Sequence, residues 1–87
     1  MPTAVREDAQ VVCIFRDGAV FYGNTRMNAI DLPDRIRESL KKGAERKIYI
    51  RADARAKYSD IERVLDEIRK TGIQNVSFFM EKLLPKE

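Results

Sequence analysis

Two carboxylates held close together can divide the acid and base roles of a hydrolysis, and the chain has 14 Asp and Glu from which to build such a pair. Most of them stand at helix-forming positions among basic neighbours. Asp53 is the exception, because it ends a strand-like run in Arg51-Ala52-Asp53-Ala54-Arg55, ahead of Lys57 and Tyr58. From there its carboxylate can accept hydrogen bonds from loop amides, pair with Arg51 or Arg55, or meet a partner at the surface. No second catalytic group is placed beside it in the sequence.

Other routes to chemistry are closed by composition. Histidine, the side chain most used for proton transfer near neutral pH and the commonest metal ligand, does not occur. Cys13 is the one cysteine, so neither an intrachain disulfide nor a cysteine-built metal site can form. Within its apolar run Cys13 is expected to act as a small buried hydrophobe. The four glycines fall at turns and helix ends, and none belongs to a phosphate-binding spacing. The chain therefore reads as a non-enzyme with no cofactor and no metal.

Charge gives a weak signal. The net charge is +3 and the pI about 9.2, but 17 Lys and Arg are interspersed with 14 Asp and Glu. The densest basic stretch, Lys41, Lys42, Arg46 and Lys47, is broken by Glu45 and falls where a turn is expected. There is no G-x-x-G loop of the KH type and no aromatic RNP pattern, so nucleic acid is not an expected partner.

These residues must be positioned by one domain, since 87 residues close only one modest core. Residues 1–10 are too polar for a core and read as an extended leader. Apolar runs at 11–15 and 19–22 flank Asp17-Gly18, a pair suited to a two-residue type I′ hairpin turn. Gly23-Asn24 marks a second turn, followed by a short strand at 25–27. A first helix is expected from Asp31, as N-cap, with Pro33 in its first turn and Leu32, Ile36 and Leu40 as its apolar stripe.

Residues 47–52 alternate as a strand covered on one side, Ile48, Ile50 and Ala52 against Tyr49 and Arg51. A second helix should open on a capping box, Ser59 to Glu62, and bury Ile61, Val64, Leu65 and Ile68, with Asp66 and Lys70 paired at i,i+4. A last strand at 75–80 sets Val76, Phe78 and Met80 against Ser77 and Phe79, and the charged tail from 83 is expected to fray. The order β-β-(β)-α-β-α-β predicts an α+β two-layer sandwich, a mixed β-sheet with two α-helices on one face. Phe79 and Tyr49 then fall on the uncovered face, where exposed aromatic residues form a candidate association surface.

Three segments, Lys47-Ile-Tyr-Ile-Arg-Ala-Asp53, Tyr58-Ser-Asp-Ile-Glu-Arg-Val-Leu-Asp66 and Gly72-Ile-Gln-Asn-Val-Ser-Phe-Phe79, closely resemble the ExbD/TolR family of biopolymer transport proteins. The Asp17-Gly18 hairpin and the helix after it agree with that family's periplasmic domain, and Pro2-Thr3-Ala4 with the end of its linker. The resemblance implies a subunit of a bacterial inner-membrane protein, anchored by an N-terminal membrane helix that this sequence lacks, and so an expressed fragment. It also implies a homodimer within an ExbB- or TolQ-like channel, driven by the proton motive force.

The partners so implied are a TonB- or TolA-like protein, in the TonB or Tol-Pal system, and peptidoglycan for TolR-like members. The family's proton-carrying aspartate lies in the membrane helix, so no residue here inherits that role. Contact candidates are Thr3, Ala4, Val5 and Arg6 in the leader, and Tyr49, Arg51, Asp53, Tyr58 and Phe79 in the folded part. A leader beside a sheet edge can pair by strand exchange with a twin, and residues 3–8 are expected to order on dimerisation.

Overall fold

The structure, a computed structural model, describes residues 9–83. Its strands are β1 (Gln10–Ile14), β2 (Val20–Tyr22), β3 (Thr25–Met27), β4 (Ile48–Asp53) and β5 (Val76–Glu81), and its helices are α1 (Leu32–Lys41) and α2 (Tyr58–Arg69). They form one five-stranded mixed sheet in the order β3-β2-β1-β4-β5, with β1, β4 and β5 parallel and β2 antiparallel to both of its neighbours, β1 and β3. This is the expected α+β layout, and the short strand at 25–27 is present as an edge.

Alternation explains the layering. Val12, Ile14, Ile48, Ile50 and Ala52 are wholly buried against Leu32 and Ile36 of α1 and Val64 of α2. Leu40 and Leu65, expected on the same stripes, lie at the margin and are half-buried. Strand β1 begins at Gln10, a residue expected in the leader. It is drawn in by a polar network at the sheet end: its Oε1 accepts from the Tyr22 hydroxyl at 2.8 Å, its Nε2 donates to the Glu45 carbonyl at 3.3 Å, and Tyr22 Oη lies 2.6 Å from Ser39 Oγ.

The turns differ in detail from expectation. Gly18 has φ 89° while no described non-glycine residue, Asp17 included, has positive φ, so Asp17-Gly18 is not a type I′ turn. The Gly18 amide donates to the Phe15 carbonyl and the Phe15 amide to the Ala19 carbonyl, each at 2.9 Å. That is a three-residue loop ending in a left-handed glycine, and Asp17 Oδ1 fixes it by accepting from the Ala19 amide at 3.0 Å. Gly23, with φ 60°, takes the first central position of the two-residue β2–β3 turn, as a type II′ turn requires.

Neither helix is capped as its sequence suggested. A 3-10 turn, Ala29–Asp31, runs into α1, so Asp31 has helical backbone angles and its side chain makes no cap bond. Helix α2 starts one residue before Ser59, which places Ser59 and Glu62 inside it and dissolves the capping box. The expected Asp66–Lys70 pair is replaced by two i,i+3 pairs, Arg69 with Asp66 and Lys70 with Glu67, the latter at 3.1 Å.

Candidate functional site

The parallel register β1–β4–β5 and the β1–β2–β3 meander line residues up across the sheet. One row on the face away from the helices reads Arg26, Phe21, Cys13, Arg51, Phe79 from β3 to β5. The next β4 position towards the strand's N-terminal end brings Tyr49, with the Lys47 ammonium 4.7 Å from its ring centroid. This uncovered face unites three of the expected contact residues, Tyr49, Arg51 and Phe79, the last 51% exposed.

Arg51 is held in place by a two-pronged bond to Glu81, Nε to Oε2 at 2.9 Å and Nη2 to Oε1 at 3.1 Å. The guanidinium keeps the Glu81 carboxyl below its ordinary value. Both side chains are nearly half exposed, so the pair fixes geometry more than it stabilises the fold. Cys13, expected inside the core, instead stands half-buried on this face beside Arg51. Burial pushes its thiol up, with Arg51 pulling the other way.

Asp53 ends β4 with no exposed surface. Its Oδ1 accepts from the amide and Nε of Arg55 at 2.8 and 2.9 Å, and its Oδ2 from Arg55 Nη2 at 2.9 Å and the Leu83 amide at 3.0 Å. The Arg55 side chain and then these amides hold the carboxyl far below the ordinary carboxylate range. Asp53 thus ties the β4–α2 loop to the segment that follows β5.

Tyr58 stands apart from this face, 74% exposed at the first position of α2, where the Glu62 carboxylate pushes its hydroxyl up. Thr3, Ala4, Val5 and Arg6 lie outside the described residues, as does the ordering expected of residues 3–8. Of the tail expected to fray, residue 83 is buried and bound to Asp53, and 84–87 lie outside the described residues.

Strand β5 forms one edge of the sheet. The expected alternation holds, since Val76, Phe78 and Met80 register with Ile48, Ile50 and Ala52 on the helix side. The helices stop short of this edge, however, so Phe78 is 40% and Met80 55% exposed. Bonds from the Ile48 amide to the Asn75 carbonyl and from the Ala54 amide to the Glu81 carbonyl set which β5 groups face β4. The amides of Val76, Phe78 and Met80 consequently point to the unpaired side.

A family model described as biopolymer transport protein ExbD/TolR matches residues 3–83. The chain belongs to the ExbD/TolR family. No curated protein matches it closely enough to be counted. As an ExbD/TolR protein it has a general stator-like, accessory role in biopolymer transport. Members of the ExbD/TolR family are membrane-anchored with periplasmic domains, and among the described residues no helix is long and apolar enough to cross a membrane.

The Phe21, Arg26 and Leu83 contributions to the open face were not found from sequence. For Phe21 the signal was there, because β2 alternates and Val20 is buried. For Leu83 there was none, since a single leucine in a charged tail has no periodicity.

Proposed function

We infer that this chain is the periplasmic domain of an ExbD-like stator subunit, which dimerises and couples an inner-membrane proton channel to TonB-dependent transport. The observation carrying this reading is the β5 edge: a six-residue strand with the three amides of Val76, Phe78 and Met80 facing outward, and the Phe78 and Met80 side chains exposed beside them. An edge of that kind accepts an added strand. The residues preceding β1 supply a candidate.

Chain geometry favours exchange with a twin over self-pairing. Strand β1 is central, so a strand added beyond β5 of the same domain lies three spacings, or about 14 Å, from β1. The nine residues before β1 reach about 30 Å at most, so crossing its own sheet would use about half of them before any could pair. A second chain presents the same edge without that detour.

Analytical ultracentrifugation of the chain with and without residues 1–8, which leaves Gln10 and its bonds in place, tests the proposal. The full chain is expected to sediment as a dimer and the shortened chain as a monomer; equal behaviour of the two would remove the leader from the interface. Retention by purified sacculi would move the assignment from the ExbD side of the family to the TolR side, with peptidoglycan as ligand.

A further inference from the structure

The uncovered face is indented between β2 and the end of β5, forming a groove of about 630 Å³. Its apolar floor comprises Val11, Cys13, Phe15 and Phe21, with Leu83 as a wall held by the Asp53 bond. Phe15 and Phe21 meet edge to face at 5.3 Å, which gives the floor a fixed shape. An adjoining hollow shares Phe15, Phe21 and Leu83 and carries the surface on to β3.

Charge on the rim is one-sided. The two hollows are lined by four cations, Arg16, Arg26, Arg51 and Lys82, and by one carboxylate, Asp17. Arg51 is neutralised by Glu81, yet its two bonds use only part of a guanidinium with five donors. Neither Arg16 nor Arg26 forms an ion pair among the described residues.

The cations are also spaced. Arg26 and Arg51 belong to one cross-sheet row with Phe21 and Cys13 between them. Three strand spacings separate the two arginines, about 14 Å. In an extended peptide, residues i and i+4 are about 13 Å apart and share a face with i+2. A segment crossing the strands can therefore offer a carboxylate to each arginine and an apolar side chain to the floor.

We propose that this groove binds an extended segment of a partner protein that carries acidic residues four apart with an apolar residue midway. A lipid with a single anionic head would answer the cations at one end only, whereas here they flank the floor on both sides. The groove lies within one chain and does not involve the β5 edge, so the proposal goes beyond the dimer reading and does not require it.

The test uses the full 87-residue chain, with its sedimentation state recorded, and a fluorescent peptide Ser-Glu-Ser-Leu-Ser-Glu-Ser. Saturable binding is expected, weaker in high salt, with slower alkylation of Cys13 in the bound state. Arg26→Glu should weaken it about tenfold, as charge reversal opposite a carboxylate does. Lys82→Glu gives a second reading if circular dichroism shows Arg26→Glu to be misfolded. Equal binding of a peptide with lysines in place of both glutamates would overturn the proposal. So would no saturable binding, or adsorption to phosphatidylglycerol vesicles without peptide binding.

Discussion

The backbone amide of Leu83 donates to Oδ2 of Asp53 at 3.0 Å, across thirty residues of sequence and with no exposed surface on the aspartate. The same carboxylate receives three bonds from Arg55, and these donors lower its pKa. A carboxyl with a lowered folded pKa contributes stability that is fully present above its unfolded value, 3.8 here, and is lost as pH falls towards the folded one.

Asp53→Asn should therefore lower Tm at neutral pH, and the deficit should shrink as pH is taken from about 5 to about 2, because the carboxyl of the unfolded wild-type chain takes up a proton there while the folded one is still ionised. Glu81 also has a lowered pKa, but it titrates in both proteins and drops out of the difference. Thermal melts across that range measure the effect. A deficit constant with pH would mean that packing, and not charge, is what the substitution removes.

Gly18 and Asp60 make a second testable contact. A Cβ on Gly18 would lie 2.9 Å from Asp60 Oδ2, and φ there is +89°. Gly43, with φ +98° and nothing within 4 Å of such a Cβ, isolates the backbone effect. An alanine in the left-handed region costs about 1–2 kcal/mol, which Gly43→Ala should show alone. Gly18→Ala should cost less than about 0.5 kcal/mol more, because the atom met is the tip of the Asp60 side chain, which can swing aside, and adding Asp60→Ala should remove that small excess. Urea unfolding midpoints of the three variants decide it.

Ser59 separates what the sequence suggests from what the fold contains. As the N-cap of a capping box it would contribute about 1 kcal/mol, but α2 begins at Tyr58 with Lys57 as its cap residue. Ser59 is then an exposed residue in the first turn, and Ser59→Ala should change stability by less than about 0.5 kcal/mol. A loss near 1 kcal/mol by urea unfolding would restore the cap.

Period-two patterns in β4 and β5 and a period near four in α1 fixed the layers, since each side chain's face follows from backbone geometry alone. Helix starts did not follow, because capping-box residues and first-turn residues have the same composition, and the backbone angles of Asp31 and Lys57 decide between them. The faces of Tyr49 and Phe79 were legible by alternation. Phe21 follows from the same alternation, but that it and Arg26 share a row with Arg51 depends on strand order, and placing β1 between β2 and β4 is a long-range property that no local window contains.

Strand β5 permits a sharper test of the edge than deletion does. Phe78 directs its amide to the unpaired side, so proline there removes no bond to β4, whereas Phe79 lies in the ladder facing Arg51. Phe78→Pro should leave a folded chain, with near-native far-ultraviolet circular dichroism, that fails to dimerise. Phe79→Pro should instead lose the fold, because it breaks the β4–β5 pairing that also positions Glu81 for Arg51 and Leu83 for Asp53. Sedimentation and circular dichroism distinguish the outcomes. A Phe78→Pro chain that is folded and still dimeric would show that the twin attaches elsewhere.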